Sequence, residues 1–219
     1  MPQDSKEQRA GSEDLHGSAP DKSGAALLLI DVINDFDFPE GDELLSLAMP
    51  VGQNIARLKQ RAKAAGIPAI YVNDNFGRWR SDFNAQVEHC LQDGVRGRPI
   101  VESLRPVKDD YFVLKPKHSG FFSTALDTLL EYLGAQSLIL TGIATNNCVL
   151  FTANDAYMRD FRLAVPGDCA AANTEEQHQN ALSQIRAVLK ADVRPSNELT
   201  CTRSGLESPP EDSLKGVFP

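Results

Sequence analysis

The chain has 219 residues, a formal net charge of −8, 42% hydrophobic residues and 24% charged residues. This length is enough for one domain with a sizeable core, and the composition is ordinary for a globular protein. The acidic balance, without a long Lys/Arg run, argues against a nucleic-acid or anionic-membrane partner. No apolar run approaches the roughly 18–20 residues that a membrane span needs.

The two ends differ in composition from the middle of the chain. Residues 1–23 are polar and lack an apolar core, which predicts a disordered tail rather than a signal peptide. Residues 203–219 are rich in Ser, Pro and Glu and are predicted to form a flexible C-terminal tail, which leaves 24–202 as the folded domain. The four cysteines are far apart and form no CxxC pair, a pattern that favours free thiols in a reducing cytoplasm; they are Cys90, Cys148, Cys169 and Cys201.

Strands and helices are predicted to alternate along the folded range. Short apolar runs predict strands at 25–30, 67–72, 111–114, 137–140 and 161–165, with a last short strand beginning at 192. Apolar residues at helical spacing predict helices over 51–65, 126–133, from 148 onward, and 174–190. Residues 73–110 are predicted to form a long irregular loop, of a length that is usually functional. The alternation predicts an α/β fold of three layers, with helices on both faces of a mostly parallel, Rossmann-like sheet.

Three chemically reactive residues are predicted to meet at one edge of that sheet. Asp31 follows the first strand, Lys115 follows the third, and Cys148 lies just past the fourth. Ligands of such sheets bind at the carboxyl ends of the strands. Taken singly, these residues have ordinary alternatives: a cap for Asp31, a solvated lysine for Lys115 and a small packing residue for Cys148. Their coincidence at one edge favours a joint functional role.

Cys148 is predicted to be a nucleophile. It lies near the first turn of a predicted helix, where unpaired N–H groups and the helix dipole are expected to lower the thiol pKa. The thiolate is the reactive form of cysteine. Of the four histidines only His118 lies near a predicted strand end, and Asp31 can serve as the base instead. Lys115 would then balance the charges of the carboxylate and the thiolate.

The chain resembles the isochorismatase-like cysteine hydrolase family, which includes nicotinamidases, N-carbamoylsarcosine amidase and ureidoacrylate amidohydrolases. The resemblance covers roughly residues 25–193 and is carried by three ordered motifs, LLLIDVINDF, LKPKHSGFFSTALDTLL and LILTGIATNNCVLFTANDAYMRDFRLAVPGDCAA. It implies the isochorismatase-like hydrolase fold. It also places the family's Asp, Lys and Cys at Asp31, Lys115 and Cys148.

The resemblance implies a mechanism. Asp31 takes the thiol proton, and Cys148 attacks a carbonyl carbon. A cis peptide bond between Ile143 and Ala144 directs the N–H of Ala144, together with that of Cys148, at the developing oxyanion. An amine or ammonia leaves and water hydrolyses the thioester, with Asp31 acting first as the acid and then as the base.

The chain also departs from the family. Ile33 stands where the family often has Gln, which weakens any inference about the substrate. Nicotinamidases bind a metal through an Asp and two nearby His; here Asp74 matches the Asp, but no His follows before His89. A metal site of that type is therefore not expected. The family's isochorismatases usually lack the Cys, so Cys148 argues for amide chemistry rather than vinyl-ether hydrolysis.

Aromatic residues in the segments that lead to this edge are predicted to wall a substrate pocket; they are Phe36, Phe38, Trp79 and Phe121. Ordinary aromatic packing is the alternative for each. Asn147, beside Cys148, is a further predicted substrate contact. Arg78 and Arg80 flank Trp79 and would bind a substrate carboxylate, or else serve as solvated charges or oligomer contacts.

The sequence thus predicts a cytoplasmic, cysteine-dependent hydrolase that cleaves a C–N bond of a small amide, ureide or carbamoyl compound. We expect no cofactor and no metal, and assembly as a homo-oligomer, a dimer or tetramer. Two alternatives stay open: a metal-free ester or thioester hydrolase with the same three residues, and a non-catalytic relative that binds a small ligand. A nucleotide-binding module is disfavoured because DVINDFDFPEG has no Gly-rich phosphate loop.

Overall fold

The computed structural model describes residues 22–77 and 82–207. The sequence-based predictions for Arg78, Trp79 and Arg80 lie outside the described residues. The same holds for most of the two predicted tails, residues 1–21 and 208–219.

Five parallel strands form the central sheet in the order β3-β2-β1-β4-β5. The strands are β1 (Ala25–Ile30), β2 (Ala69–Asp74), β3 (Tyr111–Lys115), β4 (Ser137–Ile143) and β5 (Arg162–Ala164). A short β6 (Ala170–Ala171) pairs with the end of β4. All six residues of the central β1 are buried, as expected of a strand with both faces covered.

Helices cover both faces of the sheet. One face carries α1 (Gly41–Ala64), α2 (Phe83–Cys90) and α3 (Arg98–Ser103), and the other carries α4 (Leu126–Leu133), α5 (Leu150–Tyr157) and α6 (Glu175–Leu189). Side chains of β1 alternate between the two cores: Leu27 and Leu29 face α1, whereas Leu28 and Ile30 face the other core. The predicted three-layer α/β fold is therefore confirmed.

Two elements differ from the sequence-based prediction. Helix α1 begins at Gly41 and runs through Pro50, because Leu44 and Ala48 extend its buried face by two turns. Proline at position 50 lacks only one backbone donor, and the buried face outweighs that loss. The segment predicted as an irregular loop contains α2 and α3; Asp82 caps α2 by accepting a hydrogen bond from the N–H of Ala85 at 2.8 Å.

A hairpin at residues 201–206 is hydrogen-bonded to the residue that precedes β1. Strands β7 (Cys201–Thr202) and β8 (Gly205–Leu206) form an antiparallel hairpin, and the N–H of Gly24 donates to the Arg203 carbonyl at 2.7 Å. This hairpin includes residues from the range predicted as a C-terminal tail. Within the described part of the chain, no helix is both long enough and apolar enough to cross a bilayer.

The strand register brings four carboxyl ends to one edge of the sheet. Ile30 pairs with Val72 on one side and with Gly142 on the other, and Asp74 pairs with Lys115. The residues that follow β1 and β4 therefore lie beside the last residues of β2 and β3.

Candidate active site

A buried lysine at the centre of this edge contacts three reactive groups. Lys115, the last residue of β3, is 0% exposed. Its Nζ lies 2.8 Å from Asp31 Oδ2, 3.3 Å from Asp74 Oδ2 and 3.5 Å from Cys148 Sγ. The structure thus brings together Asp31, Lys115 and Cys148, and it adds Asp74 as a second carboxylate.

Asp31 is held by more than its ion pair with Lys115. Its Oδ1 accepts a hydrogen bond from the N–H of Asp74 at 2.6 Å, so both carboxylate oxygens are engaged. The residue has a positive φ of 53°, a conformation that Asp adopts more readily than most residues. The chain turns at this residue and places the carboxylate beside the ends of β2 and β3.

A buried amide bridges the loop after β1 to β2. The side chain of Asn73 accepts from the N–H of Ile33 at 3.1 Å and donates to the Ile33 carbonyl at 2.9 Å. Gln86 of α2 donates to the Asp74 carbonyl at 3.2 Å. The side chain of Asn73 thus satisfies both the N–H and the carbonyl of Ile33, as a neighbouring strand would, and it holds the loop that begins at Asp31 in place.

The ionisation of the cluster follows from burial and from mutual charge. Burial raises the pKa of Asp31, and the opposing attraction of Lys115 only partly offsets that rise. For Lys115, burial lowers the pKa, but the attraction of Asp31, Cys148 and Asp74 outweighs burial and leaves the pKa raised. The ammonium of Lys115 is thus the stable positive charge of the site.

The predicted lowering of the Cys148 pKa is wrong. Burial raises the pKa of this thiol, and the neighbouring carboxylate of Asp31 raises it further, while Lys115 opposes both. Cys148 also does not lie in the first turn of an α-helix. It belongs to a π-helical turn, Thr145–Val149, that precedes α5. The resting group is therefore a thiol beside the carboxyl group of Asp31.

The backbone before Cys148 turns sharply. The peptide bond between Ile143 and Ala144 is cis. The Ala144 carbonyl accepts hydrogen bonds from the N–H groups of Asn147 at 3.0 Å and of Val149 at 3.2 Å. These two bonds orient the peptide group between Ala144 and Thr145.

Buried Thr145 connects this turn to α6. Its hydroxyl lies 2.8 Å from Nδ1 of His178, a residue for which the sequence suggested no role. Burial lowers the pKa of His178, against the smaller opposing effects of Glu175 and the Gly167 backbone. The Thr145 hydroxyl and Nδ1 of His178 share one hydrogen bond, in which the tautomer of the imidazole decides the donor.

His118 is a further residue that contacts the sulfur. Its Nδ1 lies 3.9 Å from Cys148 Sγ, and its ring is tilted by 46° against that of Phe151, with 5.4 Å between the ring centroids. The side chain of His118 is exposed, whereas Asp31 and Lys115 are buried.

The predicted substrate contacts lie in different surroundings. Phe36 is fully buried on the α1 face, with its ring 6.2 Å from that of Phe38. Phe121 is buried in the core that contains Cys148, with its ring 6.1 Å from Phe161. Asn147 is half-buried beside Cys148. Substrate contact by these residues, and by Trp79 outside the described range, stays a prediction.

Asp74 and His89 lie in separate contacts. Asp74 Oδ2 faces Lys115, and its Oδ1 accepts from the N–H of Phe76 at 2.6 Å. Nε2 of His89 lies 3.0 Å from Asp35 Oδ2. Among residues 22–77 and 82–207, no group of three or more His, Cys, Asp or Glu side chains is arranged to hold a metal ion.

Comparisons with known proteins identify relatives over most of the chain. The family model named Isochorismatase domain matches residues 25–196. An uncharacterized isochorismatase family protein, YaaI of Bacillus subtilis, is 41% identical over 178 residues, which cover 81% of this chain and 97% of that protein. The ureidoacrylate amidohydrolase RutB of Acinetobacter baylyi is 30% identical over 196 residues, covering 77% of this chain and 78% of that protein. The crystal structure of N-carbamoylsarcosine amidase from Thermoplasma acidophilum superposes with a TM-score of 0.60 at 27% identity, covering 80% and 97% of the two chains.

Proposed function

Because this chain belongs to the isochorismatase family, we propose that it is a hydrolase that cleaves a carbon–nitrogen bond of a small molecule. The bond is an amide, ureide or carbamoyl bond, and cleavage proceeds through a thioester on Cys148. One observation carries the proposal: a buried Lys115 lies within 3.5 Å of both the Asp31 carboxylate and the Cys148 sulfur. Two relatives support it, since ureidoacrylate amidohydrolase RutB and N-carbamoylsarcosine amidase are named for the cleavage of C–N bonds.

Acylation begins with transfer of the thiol proton to Asp31 as the sulfur attacks the carbonyl carbon. The pKa of the Asp31 carboxyl is raised by burial, which makes it a stronger base than an exposed carboxylate. Lys115 holds a positive charge beside the developing thiolate. Transfer of one proton between Cys148 and Asp31 leaves the total charge of the cluster unchanged, and a buried site favours such a step.

The oxyanion that forms is assigned to the N–H groups of Ala144 and Cys148, at the start of the turn after β4. Donors held in place before the reaction stabilise charge that develops only in the transition state. Collapse of the tetrahedral intermediate breaks the C–N bond. The leaving nitrogen takes the proton from Asp31, and the acyl group remains on the sulfur.

The test is a screen for ammonia or amine release over amides, ureides and carbamoyl compounds. Cys148→Ala is expected to abolish release of whichever product the wild type forms. Cys90→Ala provides the matched control, because Cys90 is also a buried cysteine but lies in α2. Release that survives in Cys148→Ala, or a wild type that cleaves only esters and thioesters, contradicts the proposal.

We expect the reaction to need no metal ion, since the thiol supplies the nucleophile and backbone donors hold the oxyanion. Prolonged dialysis against a strong chelator should leave turnover unchanged, with metal content checked in the same sample. Loss of turnover that zinc, manganese or iron restores would contradict this expectation and indicate a metal site near Asp74. Assembly as a dimer or tetramer also stays a prediction, and the molar mass measured by light scattering tests it.

A further inference from the structure

We propose that Asp74 is a specificity-determining residue, whose carboxylate accepts a hydrogen bond from the leaving nitrogen of the substrate. The substrates are then amides, ureides and carbamoyl compounds in which the leaving nitrogen carries at least one hydrogen. The inference rests on the proposed function, since it concerns the substrate of the same site. It is carried by the position of Asp74 between the buried lysine and the surface.

Asp74 points to the face of the sheet on which the nucleophile lies. It ends β2 and pairs in register with Lys115, which ends β3. Residues paired in register point to the same face of a sheet. Val72 and Val113, two positions earlier on the two strands, belong to the core that contains Cys148. The side chains of Asp74 and Lys115 therefore share the face of Cys148.

The Asp74 carboxylate and the Cys148 sulfur contact the same nitrogen atom. Lys115 Nζ lies 3.3 Å from Asp74 Oδ2 and 3.5 Å from Cys148 Sγ, so oxygen and sulfur are separated by no more than these two contacts. When the sulfur bonds to a carbonyl carbon, the leaving nitrogen lies one bond further out. This spacing suits a hydrogen bond from that nitrogen to Asp74.

Asp74 has the most exposed side chain of the two carboxylates and the lysine. It is 26% exposed, against 7% for Asp31 and 0% for Lys115. Within residues 22–77 and 82–207, its Oδ2 contacts Lys115 and its Oδ1 accepts from the N–H of Phe76 at 2.6 Å. A carboxylate has about four acceptor positions, so Asp74 has capacity for a hydrogen bond from a bound molecule.

Asp74 is held in place before any substrate binds. Its N–H donates to Asp31 Oδ1 at 2.6 Å, and its carbonyl accepts from the side chain of Gln86 at 3.2 Å. The N–H of Phe76 fixes Oδ1 of the carboxylate itself. Because the acceptor is already ordered, binding a substrate N–H to it costs little conformational entropy.

The contact strengthens as the C–N bond breaks. In the proposed acylation, the leaving nitrogen takes the proton of Asp31 and gains positive charge. A hydrogen bond between a charged donor and a carboxylate is roughly twice as strong as a neutral one. An interaction that is stronger in the transition state than in the ground state accelerates the chemical step. No proton moves to Asp74, so the proton transfers assigned to Asp31 are unchanged.

An ester has no hydrogen to donate to Asp74. Its leaving oxygen carries only lone pairs, which would face the carboxylate. A site that accepts an N–H discriminates against an analogue without one, because its own polar group then loses a partner. Asp74 therefore favours cleavage of C–N bonds over cleavage of C–O bonds.

The experiment compares two alkylating reagents of the same shape, N-methyl-2-iodoacetamide and methyl iodoacetate, which differ in an N–H against an oxygen. Labelling rates of Cys148 at pH 7 are measured by mass spectrometry, and each is divided by the rate of glutathione with the same reagent. We expect the wild type to prefer the amide about 10-fold or more after this correction, the effect of one hydrogen bond to a charged group. In Asp74→Asn, where an NH2 group replaces Oδ2, the preference should disappear.

The ratio of the two rates separates recognition from a merely structural role. A lost counter-charge for Lys115, a changed thiolate fraction of Cys148 or a loosened fold alters both rates equally and leaves their ratio unchanged. Asp37→Asn is the matched control, because Asp37 is an exposed carboxylate of the loop after β1 that pairs with Arg96. This variant should keep the wild-type preference.

A wild type without a corrected preference, or an equal preference in Asp74→Asn, would overturn the role of Asp74 and leave the proposed function standing. Release of ammonia or amine that survives in Cys148→Ala would instead refute the proposed function itself. The two failures are therefore distinguishable.

Discussion

At the scale of single residues, Asp31 has two opposite effects on Cys148. Its charge raises the thiol pKa in the resting enzyme, as burial does, yet it is the proposed acceptor of the thiol proton. A group that activates a thiol by favouring the thiolate would instead lower the thiol pKa in the resting enzyme. The two roles can be separated by measuring alkylation and turnover on the same variant.

We predict that Asp31→Asn reacts faster than the wild type with iodoacetamide at pH 7 while losing turnover. Removal of the negative charge lowers the pKa of the Cys148 thiol, because Lys115 then acts on it without opposition from Asp31. In the wild type the raised pKa predicts a labelling rate that climbs from pH 7 to about pH 9 without a plateau. Mass-spectrometric mapping should show Cys148 labelled before Cys90 and Cys169, which are more deeply buried.

Slower labelling in Asp31→Asn would mean that Asp31 activates the resting thiol. Near-wild-type turnover in that variant would remove Asp31 from the mechanism.

Lys115 neutralises two carboxylates, and its removal is predicted to harm both stability and turnover. Lys115→Met leaves Asp31 and Asp74 close together without a counter-charge, and breaking a buried pair in this way costs about 3–5 kcal/mol in the free energy of unfolding. We expect turnover to fall about 10³-fold or more, because the developing thiolate loses its cation. Urea unfolding and steady-state kinetics measure the two effects.

Lys117→Met is the matched control for this substitution, since Lys117 is exposed two residues away. Its stability and turnover should match the wild type. An equal loss in both variants would mean that the site does not depend on the charge at position 115.

At the scale of elements, the close approach of β1 and β4 places the nucleophile turn beside Asp31. Gly142 has a φ of +118°, and a Cβ at this position would lie 2.0 Å from the Ile30 carbonyl oxygen. Only glycine lets the end of β4 meet the end of β1 at this distance. The turn that leads to Cys148 starts from this contact.

Gly142→Ala is therefore predicted to destabilise the protein by more than about 3 kcal/mol and to abolish turnover, since the clash with backbone has no flexible atom to relieve it. Gly134→Ala is the control. Gly134 also has a positive φ, +77°, but a Cβ there would meet nothing within 4 Å. Its cost should be about 1–2 kcal/mol, the penalty of the left-handed conformation alone. Urea denaturation compares the two; similar losses would contradict the steric explanation.

At the scale of the whole molecule, one buried histidine of α6 connects the helical layer of α4, α5 and α6 to the turn that contains Cys148. His178 of α6 contacts Thr145, which follows the cis peptide bond and precedes Cys148 by three residues. Because its pKa is lowered by burial, the folded protein binds this proton less readily than the unfolded chain does. His178 therefore contributes stability that is fully present above its ordinary pKa of 6.5 and is lost as the pH falls below that value.

We predict that the wild type loses more stability than His178→Gln when the pH is lowered from 7.5 to 5.5. Urea midpoints at the two pH values give the comparison. If His178→Gln keeps the wild-type pH dependence, the buried imidazole is not the group that titrates.

The layers of this protein and the approach of its three reactive residues could be predicted from the amino-acid sequence alone. Apolar runs separated by helical periodicity require parallel strands with covered faces, and parallel strands end at a common edge. Asp31, Lys115 and Cys148 each follow such a run, so their approach could be predicted without coordinates. The start of α1 and the two helices α2 and α3 could not be predicted in this way. Pro50 hides the first turns of α1, and scattered Gly and Pro residues hide α2 and α3, which tertiary packing stabilises.

The pKa shifts of the site and its contacts with more distant residues depend on the three-dimensional packing of the chain. A thiol pKa depends on burial and on distances to charges far along the chain, and these reversed the shift expected from the helix dipole. The contacts of Lys115 with Asp74, of Thr145 with His178 and of His118 with the sulfur join residues between 30 and 41 positions apart. No local pattern encodes such pairs, because strand register and the packing of whole helices set their distances.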